Sequence, residues 1–137
     1  MRYTLLAGSK DGLLLLARLL LMVLFVIFGW SKLTAFSDTA TYMGSVGVPM
    51  PTVTAAIAVI MEFFVGIAIA VGFYTRPLAI VLALYTVAAA VIGHQFWNLV
   101  DPERIGAMIN FYKNVSIAGG LVLLCVAGPG KYSLDRR

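Results

Sequence analysis

The sequence predicts an all-α membrane protein, a bundle of four transmembrane helices. Three observations predict it. Hydrophobic residues make up 61% of the 137 residues and charged ones 12%, too few polar groups to cover a water-exposed surface. The apolar residues fall in four continuous blocks, each long enough to cross about 30 Å of hydrocarbon at about 1.5 Å per residue. The blocks lack the alternation of an outer-membrane strand, which argues against a β-barrel. One integral membrane domain over residues 1–137 is expected, with helices over about 13–33, 52–73, 77–97 and 107–127.

The first block follows Arg2 and Lys10, as a signal peptide would. It is too long for a secretory apolar core, and no small-x-small cleavage site follows FGWSK, so it reads as a retained span. Asp11 suits the start of its helix. The stretch TAFSDTATYMGSVGVPMP is loop, broken by Gly44, Gly47, Pro49 and Pro51, with a short interfacial helix expected around Asp38 to Met43. Pro51 and Pro77 open the next two helices. NLVDPERIG forms the second loop on the far side, and GPG at Gly128 to Gly130 ends the fourth helix. The tail KYSLDRR reads as short and solvated.

The net charge of +4 lies mainly outside the apolar blocks. Such placement points to topology and anionic lipid head groups, and against nucleic acid. Four spans bring both ends to one side, where Arg2, Lys10, Arg76, Lys131, Arg136 and Arg137 collect. The positive-inside rule predicts that the N- and C-termini are cytoplasmic. Trp30, Tyr42, Phe96 and Trp97 gather toward the opposite interface, as an aromatic belt does. The lone Cys125 excludes a disulfide or a CxxC pair within the chain and reads as packing.

Four ionisable side chains fall inside the blocks: Arg18, Glu62, His94 and Lys113. Each costs at least about 2.5–3.5 kcal/mol at mid-membrane unless it finds a partner. Arg18, Met22, Phe25, Gly29 and Lys32 share one face of the first helix. Ala55, Ala58, Glu62 and Gly66 line the second with small residues around one carboxylate. Asn110, Lys113 and Asn114 lie together on the fourth. A polar pocket with Glu62 at its floor follows, Arg18 approaching from below and Lys113 or Lys32 from above. Each residue also has a plainer reading: Arg18 snorkelling, Lys32 anchoring at the interface, His94 interfacial, the asparagines as interhelical glue, and Trp30 in the belt. Glu62 is hardest to explain so, because its short side chain cannot reach the surface; an ion pair and a ligand contact are both open to it. One histidine excludes two-histidine haem ligation within the chain, and no metal constellation is visible.

With these residues in place, the chain resembles the DoxX family, most closely its small enterobacterial inner-membrane members. The carriers are LLLARLLLMVLFVIFGWSK at 14–32, GVPMP at 47–51, AVIMEFFVGIAIAVGFYTRPLA at 58–79, AVIGHQFW at 90–97 and MINFYKNVSIAGGLVLL at 108–124. The resemblance implies a four-helix bundle. The family takes its name from a quinone-linked thiosulfate-oxidising enzyme, and other members resemble partners in membrane complexes of thiol and oxidative stress. It thus implies a quinone or amphipathic ligand and membrane redox partners, although the chain shows no quinone fingerprint and no catalytic residue can be named.

Three functional readings follow. The first is an accessory subunit whose Glu62 and Lys113 orient a polar head, with His94 and Trp30 near the mouth. The second is a proton-coupled carrier with Glu62 as coupling site; four helices are so narrow that a path would run between protomers of a homo-oligomer. The third is architectural, with the charges only fixing the bundle. Closure of the pocket by Arg18 on the cytoplasmic side separates the first two.

Overall fold

The structure, a computed structural model, describes residues 6–135. Arg2, Arg136 and Arg137 of the expected charge asymmetry lie outside them. Five helices follow in order: α1 (Lys10–Thr34), α2 (Phe36–Ser45), α3 (Pro51–Val71), α4 (Thr75–Gly93) and α5 (Glu103–Ala127). Among the described residues there is no strand. α1, α3, α4 and α5 are each long and apolar enough to span a membrane. α2 buries no residue, as an interfacial helix would not.

Local chemistry sets the breaks. Pro51 sits in the first turn of α3, where its missing N–H costs nothing. α3 ends in a Schellman motif: Gly72 takes φ +77°, and the Phe73 N–H donates to the Ala68 carbonyl at 2.8 Å. Tyr74 is also left-handed, at φ +46°, a conformation that non-glycine residues rarely adopt. The chain thereby reverses within three residues, between Val71 and Thr75. α4 stops at Gly93, so His94 lies in the break beyond it.

α4 and α5 pack as an antiparallel pair, and α1 lies along α3. Met22, Phe25, Ile69, Ala79, Leu82 and Leu121 form the shared core. The buried face of α1 is Arg18, Met22, Phe25 and Gly29, the face its spacing predicts. Gly66 brings α3 close to α1; a Cβ there would sit 3.4 Å from Phe25 and Val26. Outside, large apolar side chains such as Leu20, Leu84 and Leu123 stand at least 65% exposed. That surface needs a lipid solvent, and the fold is a four-helix membrane bundle.

The end of the bundle where α3 and α5 finish and α4 begins is called proximal below. Here the tail departs from the solvated segment expected. Arg18 is 1% exposed, so it does not snorkel. Its guanidinium donates to the carbonyls of Ala70 at 3.0 Å, Pro129, and Tyr132 at 2.7 Å. The Leu134 and Asp135 N–H groups donate to the Val71 and Gly72 carbonyls, at 3.2 and 2.9 Å. The Asp135 carboxylate accepts from the Tyr74 and Thr75 N–H groups at 2.8 and 2.9 Å, capping α4. Asp11 accepts from the Lys131 N–H at 3.0 Å. The tail is drawn in because three helix ends leave polar backbone that lipid cannot satisfy. Arg76 does the same for α5, donating to the Cys125 and Val126 carbonyls.

Arg18→Met removes the donor that joins α3 to the tail and leaves buried carbonyls unpaired. A loss of about 3 kcal/mol is expected, measured as a lower midpoint of denaturation in mixed micelles, with new proteolytic cleavage beside Lys131.

Candidate functional site

Glu62 sits in an irregular turn. Residues Ile60–Val65 of α3 form a π-helical segment, flanked by ordinary α-helix. Such turns are rare and concentrate at functional sites. Ala58, Glu62 and Gly66 recur every four residues, more than the 3.6 of an α-turn, and the wider turn absorbs the drift. Ala58 and Gly66 are buried, and the Glu62 side chain is 12% exposed.

Gly29 of α1 meets this segment backbone to backbone. A Cβ on Gly29 would lie 2.5 Å from the Phe63 nitrogen and 2.8 Å from the Glu62 carbonyl carbon, so only glycine fits. Gly29 is three turns from Arg18, which puts the contact about 16 Å from the proximal end, near mid-membrane. Lys32 follows one turn later and reaches back. Its Nζ donates to Glu62 Oε2 at 2.6 Å, an ion pair with side chains 25% and 12% exposed. From α4 the Tyr85 hydroxyl donates to Glu62 Oε1 at 2.7 Å. Both carboxylate oxygens therefore hold a donor, one cationic and one neutral.

Two expected partnerships are absent. Arg18 does not pair with Glu62, because the proximal carbonyls occupy it a full three turns away. Lys113 does not either; its Nζ donates to Asn110 Oδ1 at 2.9 Å on its own helix. Lys32 is correspondingly more than an interfacial anchor. Lys113 is exposed and Asn114 half-buried. Lys32 lies fourteen residues from Arg18 and Lys113 fourteen from Ala127, so both stand about 21 Å from the proximal end. His94 is half-buried in the break that follows α4. Trp30 stacks at a tilt on Phe63, with ring centroids 5.5 Å apart, and Lys32 lies 5.8 Å from the Phe28 centroid. Phe96, Trp97, Phe111 and Tyr112 close α4 onto α5 edge to face.

Sequence reasoning missed Tyr85. A tyrosine in an apolar helix reads as packing, and its hydroxyl at the depth of Glu62 was the available signal. Among the described residues no three His, Cys, Asp or Glu side chains gather. What the cluster offers a ligand is charge and hydrogen bonding.

Four spans, a proximal end sealed by its own tail and a neutralised carboxylate at mid-depth define a small multi-pass membrane protein with an internal polar site. The family model described as DoxX matches residues 13–95, and the chain belongs to the DoxX family. The matched segment contains Arg18, Lys32, Glu62, Tyr85 and His94 and stops before Asn110 and Lys113. The chain is 47% identical over its whole length to the inner membrane protein YphA of Escherichia coli, covering 98% of that protein. It is 38% identical over 93% of its length to the inner membrane protein YqjF of Escherichia coli, covering 92% of it. A more distant similarity, 26% over 94% of the chain, is to the ER-derived vesicles protein ERV29 of Saccharomyces cerevisiae, of which it covers 34%. No solved structure matches. The protein is a multi-pass bacterial inner-membrane protein.

The ion pair lends itself to a double-mutant cycle. Lys32→Met leaves Glu62 with Tyr85 alone and is expected to cost about 3–5 kcal/mol. Combining it with Glu62→Gln should recover most of that, measured by denaturation in mixed micelles. Gly29→Ala pushes α1 off the π segment and should cost about 1–3 kcal/mol in the same assay.

Proposed function

We propose that the protein is a ligand-binding subunit of the inner membrane, in which Glu62, Lys32 and Tyr85 hold the polar head of an amphipathic molecule. The observation that carries this is the π-helical turn that presents a doubly bonded carboxylate at mid-depth. The cluster is partly exposed, so a head group can replace Tyr85 as a donor to Glu62 or accept from the two Lys32 N–H groups that Glu62 does not use. An amphipathic molecule enters sideways from lipid, its tail along the apolar faces beside Trp30 and Phe63.

The sealed proximal end supports binding over passage. Arg18 and the tail occupy the route that a solute would need through one protomer. Lys10, Arg76 and Lys131 lie at this end, which by the positive-inside rule is cytoplasmic, so the site faces the periplasmic half. Family resemblance suggests a quinone-like ligand and redox or oxidative-stress partners.

Extraction of gently purified protein, followed by mass spectrometry, tests the reading. A small molecule enriched in the wild type should fall about tenfold in Glu62→Gln, the effect of one charged hydrogen bond. Identical profiles at equal expression would leave the pair as architecture. A fluorescent protein fused to the C-terminus should mature, and alkaline phosphatase fused there should stay inactive, if that end is cytoplasmic.

A further inference from the structure

The loop that joins α4 to α5 encloses a cleft of its own. It is open, has a volume of about 530 Å³, and is lined by Phe96, Trp97, Leu99, Val100, Asp101 and Arg104. That volume lies within the range of about 300–1,000 Å³ that small ligands occupy. None of these residues belongs to the Glu62 cluster. The aromatic wall is braced from behind. The Phe96 ring packs on Trp97 and Phe111 at centroid distances of 5.3 and 5.4 Å, and Trp97 packs on Phe111 at 5.8 Å. Trp97 is still 51% exposed, so much of its ring stays open to an occupant.

The cleft carries one charge of each sign, Asp101 and Arg104. They do not pair with each other, since Lys32–Glu62 is the only ion pair among the described residues. Glu103 does not line the cleft. Depth follows from α5. Phe111 and Arg104 stand sixteen and twenty-three residues before Ala127, about 24 and 35 Å from the proximal end. A hydrocarbon core about 30 Å thick ends between them. The aromatic wall therefore lies at the edge of the hydrocarbon and Arg104 among the head groups. Leu99 and Val100, both exposed, add an apolar rim.

We propose that this cleft binds the head of a zwitterionic phospholipid, a phosphate joined to a primary ammonium. The Arg104 guanidinium presents forked donors that match a phosphate. The Asp101 carboxylate accepts from the ammonium, and the exposed Trp97 ring is available to the same cation. A trimethylated ammonium has no N–H to give the carboxylate. An anionic head without an amine meets Asp101 as a like charge. The acyl chains run past Leu99 and Val100 into the bilayer. The assignment is independent of ligand binding at Glu62.

Native mass spectrometry of the protein from mixed micelles tests this. Phosphatidylethanolamine, phosphatidylcholine and phosphatidylglycerol of matched chains are supplied in equal amounts. Phosphatidylethanolamine should be retained about tenfold over each of the others, the effect of one charge-assisted hydrogen bond. Arg104→Gln should lower its retention to the level of phosphatidylcholine. Asp101→Asn should do the same and raise retention of phosphatidylglycerol, whose phosphate then meets Arg104 with no carboxylate opposing it. Misfolding would not produce that exchange. Asp38→Asn removes an exposed carboxylate on α2 and should leave the preference unchanged. Equal retention of the three lipids, or phosphatidylglycerol above phosphatidylethanolamine in the wild type, overturns the site. So does a preference that survives either cleft variant, or loss of all three lipids alike in Asp101→Asn. Each of these results leaves ligand binding at Glu62 standing.

Discussion

The contact between Lys32 and Glu62 sets the arrangement of the half of the bundle away from the proximal end. A carboxylate near mid-membrane is tolerated only with a cation beside it, and that cation must come from another helix. Lys32 satisfies Glu62 only because α1 and α3 touch at Gly29, where the glycine leaves no side chain between two backbones. Tyr85 then fixes α4 to the other oxygen of the same carboxylate. One acidic side chain thus registers three spans at a single depth. The core below it, built on Met22, Phe25, Ile69 and Leu82, follows from that register.

Charge is used differently at the proximal end. There the guanidinium groups of Arg18 and Arg76 take up carbonyls that end helices. Lipid offers no donor to such groups, so a forked, permanently charged side chain suits the task better than an ammonium. The two clusters lie on one face of α1, Gly29 about three turns from Arg18 and Lys32 about four, and divide the bundle into a sealed end and a polar half.

The spans were legible because lipid imposes length and apolarity directly on composition. The buried face of α1 was legible from its three-and-four spacing, and Glu62 from the shortness of its side chain. The partner of Glu62 was not. A lysine near a helix end satisfies an interfacial and an inward reading equally until the neighbouring helix is placed, and its long stem covers either. Tyr85 was hidden because its ring packs as any aromatic would. The π turn left only a weak trace, the run of fours through Ala58, Glu62 and Gly66. The tail differs for another reason: its described residues, Lys131 to Asp135, serve polar helix ends, and composition cannot tell that service from solvation.

The tail has a consequence for assembly. Arg18 belongs to the first span, yet two of its three acceptors, Pro129 and Tyr132, follow the fourth. The cap of α4 likewise waits for Asp135. Since chains insert from the N-terminus as they are synthesised, all four spans stand in the bilayer before their shared end can close. The segment that follows α5 acts as a clasp on an already threaded bundle, and helices inserted without it lack their fastening.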